Sequence, residues 1–213
     1  MTLTLRPATP ADSPGITQVH TEAFASGVIS QRVFPPCPLT EENWARDLAS
    51  AFADPKTHLL VVTDDTTTPA RVIGFAKWTQ PRAEGEPAPP LPSEEEIMDR
   101  EWPPETDLSL ARAFLCGMAQ KRAKTMGEAR FWFLHILVVQ PEYQGKGAGG
   151  KMIRWGTERA DADGVASYLD STAVAKGVYE RYGFREVDRL VLEGQDHGGK
   201  DLIEYMMVRD AKV

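Results

Sequence analysis

Apolar positions recur along this chain with two periods, and the alternation between them lays out the elements. Thr2-Leu3-Thr4-Leu5 alternates as a short strand does. Asp12-Ser13-Pro14 then marks a helix start, with an N-cap candidate and a proline in the first turn, and the helix runs through Ile16, Val19, His20 and Phe24. A second helix is expected from Thr40, where Glu41 and Glu42 sit at the positive end, continuing through Trp44, Leu48 and Phe52. His58–Thr63 and Arg71–Trp78 read as strands joined by a polar loop over 64–69, which predicts an antiparallel hairpin. Asp107 caps a helix whose Leu108, Ala111, Leu115 and Met118 share a face, and Lys121, Arg122 and Lys124 complement its negative end before Gly127.

Phe131–Val139 is an almost unbroken apolar run, the signature of a central strand buried on both faces. A glycine-rich turn follows, then a helix over about 147–162, a strand over 165–170, a short helix over 173–182, and strands near 184–192 and 202–208. The order β-α-α-β-β-α-β-α-β-α-β-β predicts a mixed sheet with helices on both faces, α/β or α+β in class. No internal repeat and no interdomain linker interrupts it, so residues 1–213 read as one domain. One segment stands apart. Residues 81–106 hold seven prolines and eight acids against two bases, a net −6 that accounts for nearly all of the chain's −7.

Composition narrows the function classes. With 42% hydrophobic and 26% charged residues the chain is globular, neither disordered nor fibrous. Net negative charge leaves little for a binding mode built on neutralising phosphates, so nucleic acid is not expected as a partner. Cys37 and Cys116 lie far apart with no metal-ligand spacing, and are expected as two reduced thiols with no metal site. No apolar run approaches the ~20 residues that cross a bilayer, and the first residues lack a signal-peptide core. An intracellular, cytoplasmic protein without membrane attachment is the expectation.

The chemistry concentrates after the central strand. Gln144-Gly145-Lys146-Gly147-Ala148-Gly149-Gly150 joins that strand to a helix, so its main-chain N–H groups and the helix N-terminus form a candidate anion site. The string G-x-x-x-x-G-K-[ST] is absent, which argues against a P-loop nucleotidase. Gly145, Gly147 and Gly150 do fit G-x-G-x-x-G, but a dinucleotide site would follow the first strand directly, whereas here several strands come earlier and Pro141–Gln144 intervenes. A dinucleotide-dependent oxidoreductase is therefore a lesser alternative.

Taken whole, Leu137–Gly149 resembles the acetyl-CoA signature of the GNAT N-acetyltransferase superfamily, Q/R-x-x-G-x-G/A behind a strand ending L-x-V-x-P, filled by Gln144, Gly147 and Gly149. Ala175–Phe184 is similar to that family's A-x-x-x-Y-x-x-x-G-F element. The resemblance covers about residues 131–184 strongly, and the remainder in element order. It implies a mostly antiparallel sheet whose central strand splays from its neighbour, with the pantetheine of acetyl-CoA in the gap and the pyrophosphate on the glycine loop. Carried over, Leu137, Val138 and Val139 line the pantetheine, and Gln144, Gly145, Lys146, Gly147, Ala148 and Gly149 cradle the pyrophosphate. Thr172 stands where many members have asparagine, and a hydroxyl is left to make that contact. Tyr179 takes the place of the family's general acid and reaches the thioester sulfur, while Tyr182 reads as packing.

Transfer to an amine requires a neutral nucleophile, and an alkylamine of pKa near 10.4 is only about one part in 10³ to 10⁴ neutral at pH 7. His135 is the candidate base, expected two residues before Leu137 on the same strand face, and it falls where arylalkylamine N-acetyltransferases carry a strand histidine. A core histidine satisfied by a hydrogen bond is the competing reading. The Val139 N–H is placed to polarise the acetyl carbonyl, as the resemblance implies. The acidic segment over 81–106 reads either as a lid attracting a cationic amine or as a solvated insertion. The resulting expectation is an acetyl-CoA-dependent N-acetyltransferase acting on a small amine or a peptide lysine, as monomer or homodimer. A non-catalytic acyl-CoA-binding module is the alternative of a different class.

Overall fold

The computed structural model describes residues 2–194, 199 and 201–212. Seven strands form one sheet in the order β1-β2-β3-β4-β5-β7-β6. They are β1 (Leu3–Pro7), β2 (Thr57–Asp64), β3 (Arg71–Thr79), β4 (Phe131–Val139), β5 (Ala166–Thr172), β6 (Arg185–Leu192) and β7 (Leu202–Arg209). Every neighbouring pair is antiparallel except β4 with β5. The helices are α1 (Ser13–Phe24), α2 (Val28–Arg32), α3 (Pro38–Ala53), α4 (Glu94–Met98), α5 (Leu108–Met126), α6 (Ala148–Ala162) and α7 (Ala173–Glu180). The fold is a mixed α/β sheet flanked by helices.

Helices α6 and α7 cover one face of the sheet, and α1, α3 and α5 cover the other. The first face holds the larger core, centred on Trp78, Met152, Ile153, Leu169 and Met207, all essentially inaccessible. Trp78 donates its indole N–H to the Met152 carbonyl at 3.2 Å, so its one polar atom is satisfied. Gly156 lets α6 approach this closely, because a Cβ there would lie 2.2 Å from the Trp78 ring. A buried tryptophan contributes on the order of 4–6 kcal/mol of transfer free energy as an upper bound.

The acidic segment is tethered at both ends. Arg130 donates to the Arg82 carbonyl at 2.8 Å, and Asn43 of α3 donates to the Glu101 carbonyl at 3.0 Å. Between them α4 opens with a capping box at Ser93 and Glu96, and Glu94 pairs with Arg112 of α5. Trp102 packs against Phe34 with ring centroids 6.0 Å apart. The second long helix starts at Pro38 rather than Thr40, whose hydroxyl instead donates to the Pro35 carbonyl at 2.7 Å. Helix α2 was not expected, and its Arg32 pairs with Asp107 at 2.5 Å, next to the start of α5. Cys37 and Cys116 are unpaired. Among the described residues no helix is long and apolar enough to cross a membrane.

Candidate active site

The site is built on a fork. β4 and β5 pair in parallel over four rungs, from Phe131 with Ala166 to Leu134 with Leu169, and then part. Beyond the last rung β4 pairs only with β3, up to Val139 opposite Gly74, while β5 pairs only with β7, up to Thr172 opposite Glu204. Residues 135–139 thus present an unpaired main-chain edge toward β5, and such groups need hydrogen-bond partners from somewhere. This is the splay the resemblance implied, while the expectation of burial on both faces is corrected: His135 is exposed, and Ile136, Leu137 and Val139 are only partly buried.

A β-bulge sits at the fork. Lys77 lies opposite Ile136 and Trp78 opposite Leu134, so His135 is an extra residue on β4. The bulge changes which side chains face which way. Trp132, Leu134, Leu137 and Val139 join the core under α6, whereas Phe131 and Phe133 pack with Tyr168 and Met206, and Ile136 and Val138 with Ile16 and Phe75. His135 follows Phe133, with ring centroids 3.8 Å apart, and its Nε2 lies 2.8 Å from the hydroxyl of Thr79, the residue opposite Phe133. His135 and Leu137 therefore lie on opposite faces, which corrects the expectation drawn from strict alternation.

His135 is exposed to solvent yet closely surrounded by protein. That desolvation, followed by the nearby Lys77 and Arg122 cations, pulls its imidazole well below the ordinary 6.5. Arg122 of α5 stacks over Phe133, 4.8 Å from the ring centroid, and lies 4.0 Å from Asp170.

At the mouth of the fork the chain turns through Pro141–Tyr143 into the glycine loop. Tyr143 anchors this turn, its buried ring below and its hydroxyl donating to Asp64 at 3.1 Å. Gly145 and Gly147 adopt φ of 73° and 90°, conformations that side chains resist, and a Cβ at either would meet nothing within 4 Å. The glycines are thus required by backbone shape, and the space beside them is open. Gly147 is the N-cap of α6, and Ala148 and Gly149 begin its first turn, so free N–H groups point toward the same opening. Gln144 folds back, its amide donating to the Val139 carbonyl at 3.2 Å, and Lys146 lies over the Tyr143 ring at 5.1 Å.

Across the gap, Thr172 is the N-cap of α7, accepting from the Ala175 N–H at 3.4 Å. Tyr179 is buried in the core under α6 and α7, edge-on to Phe184 at 6.0 Å, and burial pushes its phenol above 10. It therefore remains protonated, with a hydroxyl proton available to donate. Tyr182 packs against Gly150 and Arg154. Tyr179 and His135 thus stand on opposite faces of the sheet with the fork between them.

A GNAT acetyltransferase domain model matches residues 112–186, the span from α5 to the start of β6 that includes the fork, the glycine loop and α7. That match spans about a third of the chain and supports an acyltransferase enzyme. Similar solved structures include a histone acetyltransferase HPA2-related acetyltransferase from Corynebacterium glutamicum, 22% identical with a TM-score of 0.59, over 100% of this chain and 98% of that one. A mosquito arylalkylamine N-acetyltransferase like 5b is 18% identical with a TM-score of 0.66, over 98% and 100%. NAA60 from Arabidopsis thaliana, solved with a bisubstrate analogue, is 17% identical with a TM-score of 0.59, over 99% of each chain. At these identities the likeness is one of fold.

Sequence reasoning missed part of what the sheet gathers on the His135 face. Asp170 is the first β5 residue beyond the last rung with β4, and Tyr168 donates to it at 2.5 Å. Glu204 of β7 lies on the same face, diagonal to it in the ladder. Both are charged residues inside apolar runs, Ser167-Tyr168-Leu169-Asp170 and Leu202-Ile203-Glu204-Tyr205-Met206, and that signal was present in the sequence.

Proposed function

We propose that this protein is an N-acetyltransferase that moves the acetyl group of acetyl-CoA directly to a primary amine, either a small molecule or a peptide lysine. The observation that carries the reading is the fork opening beside a glycine loop of left-handed backbone. The loop and the α6 N-terminus suit a pyrophosphate, through Gln144, Gly145, Lys146, Gly147, Ala148 and Gly149. The unpaired edge at Leu137, Val138 and Val139 suits the amides of pantetheine, which would continue the sheet there, and Thr172 flanks it on β5.

In this reading the acetyl group lies in the fork with Tyr179 on one side and the acceptor on the other. The amine nitrogen attacks the thioester carbon while the Val139 N–H receives the developing oxyanion. Tyr179 donates a hydrogen bond to the departing sulfur, and His135 or a chain of water carries the amine proton away. Residues 1–213 act as one catalytic domain, with the acidic 81–106 insertion beside the acceptor side and drawing cations toward it. A cytoplasmic setting suits the two free thiols. Monomer and homodimer are both compatible with the site.

Thermal-shift titration against acetyl-CoA, CoA, NADH and ATP tests the cofactor. A ligand at 100 times its Kd stabilises by about 2.7 kcal/mol, and the CoA species alone are expected to do so. Stabilisation by NADH alone would overturn the reading. Thiol release with a panel of primary amines then separates an enzyme from a passive binder. Tyr179→Phe is expected to lower kcat at least tenfold while keeping acetyl-CoA affinity. An unchanged kcat, with chemistry limiting, removes Tyr179 as the acid.

A further inference from the structure

Of the two routes for the acceptor's proton, His135 is the weaker, and a relay of water needs a group to end on. Lys77 and Arg122 sit beside His135, so this ring is a poor resting place for another positive charge. On the same face, Asp170 and His135 are the first residues past the last β4–β5 rung, one on each prong of the fork. Glu204 lies opposite Thr172, and Asp170 opposite Met206, so the two carboxylates are diagonal neighbours on one face, about 7–8 Å apart at Cα by ladder geometry.

Their surroundings differ from those of the chain's other acids. Asp188 on β6 is held by Lys121 at 2.8 Å and Lys124 at 3.7 Å, both from α5. Asp170 has the Tyr168 hydroxyl and Arg122 at 4.0 Å. Glu204 is only partly exposed, faces Leu190 of β6 in the ladder, and has no hydrogen bond or ion pair among the described residues. An uncompensated carboxylate in such a place is costly, and a cation arriving from outside relieves the cost.

Resting on the reading of the protein as an amine acetyltransferase, we propose that Asp170 and Glu204 hold the acceptor's ammonium group and take its proton. The reaction then balances. The ammonium gives one proton to the carboxylate pair. Its nitrogen bonds to the acetyl carbon, the C–S bond breaks, and a second proton leaves the nitrogen and ends on sulfur by way of Tyr179. The products are the acetylamine, CoA thiol and one carboxylic acid, which returns its proton to water.

The electrostatics fit this task. Burial raises Asp170 to about 6 against the Tyr168 hydrogen bond and Arg122, and burial together with the Asp170 charge raises Glu204 to about 7. A base tuned near the working pH is the efficient one, and the two titrate as a coupled pair. The charged and titratable groups around them are Arg122 and Lys121 of α5, Tyr168 of β5, Asp188 of β6, His135 of β4 and Lys77 of β3.

The test is the pH dependence of kcat/KM for the purified chain with acetyl-CoA and 2-phenylethylamine, 1,4-diaminobutane, glycinamide or a lysine-containing tripeptide, using whichever reacts fastest. Deprotonation of the amine alone gives a logarithmic slope of 1. Because the ammonium is the form bound and a carboxylate takes its proton, the wild type is expected to show slope 1 below pH 6 to 7 and a level profile above, whereas loss of the carboxylates leaves slope 1 throughout. In Asp170→Asn the break moves to lower pH, because Glu204 loses the neighbouring charge. In the doubled variant Asp170→Asn with Glu204→Gln the break disappears, and the rate falls about 100-fold or more at pH 7 with acetyl-CoA affinity kept. An active wild type whose break and rate survive in the doubled variant overturns the inference alone. Failure of every amine in the panel overturns the functional reading and the inference with it. Should the amides not fold, carboxyl ¹³C titration of the wild type decides, and a Glu204 that titrates near 4.5 overturns the proposal.

Discussion

The two halves of strand β4 are chemically alike and structurally opposite. Phe131–Leu134 is joined to β5, with Trp132 and Leu134 buried under α6. His135–Val139 keeps only β3 and leaves its other edge open. Nothing in side-chain hydrophobicity separates Phe-Trp-Phe-Leu from Ile-Leu-Val-Val. The difference is set by β5, which after Leu169 stays with β7 and leaves β4. Buried packing is concentrated where the strands run together, and main-chain groups left without a strand partner where they part.

The largest test of this contrast strikes the closed half. Gly156→Leu forces a side chain into the Trp78 ring, where even a Cβ would lie at 2.2 Å, and should cost more than about 3 kcal/mol in denaturant unfolding or abolish folding. A mild effect would show that α6 is not seated on the sheet as described.

Next comes the cost carried by the open half. Folding raises Glu204 from 4.5 to about 7, so the folded state prefers its protonated form, and stability is lost as pH rises between those values. Glu204→Gln should therefore gain up to about 3 kcal/mol over wild type at pH 8 and close to nothing at pH 4.5. Equal gains at both pH values would mean that the carboxylate is not the source. Gly147→Ala should cost roughly 1–2 kcal/mol, because φ is 90° while space is free, and should weaken acetyl-CoA stabilisation further. Smallest is His135→Gln, expected within about 0.5 kcal/mol of wild type in stability, with kcat reduced less than tenfold. A larger kinetic loss would return the proton-accepting role to the histidine.

Much of the molecule was legible because its signals were local. Asp107 and Gly127 bracket α5, and the hairpin of β2 and β3 and the glycine turn into α6 lie where hydrophobic period and turn chemistry put them. The helix expected at Thr40 begins at Pro38, where proline in the first turn outweighs a threonine cap. The bulge was invisible for a physical reason. Around His135 the residues of both faces are apolar, so shifting the phase of the strand leaves no trace in the pattern. Arg122 was read as a helix-end charge, yet it reaches back over Phe133 toward the site, since long side chains answer to partners as well as to helix dipoles. The Asp170 and Glu204 pair required knowing that β7 inserts between β5 and β6, a pairing that chain order does not state.

The single extra residue at position 135 makes β4 two half-waves joined out of step. That extra residue is what sets Leu137 and Val139 under α6: were the strand to run straight through position 135 without the bulge, they would exchange faces with Ile136 and Val138, and the lining of the fork would turn over. Removal of His135 would instead join Leu134 to Ile136 in plain alternation and keep every later side chain on its present face, so this strand is more sensitive to a gain of one residue than to the loss of this one.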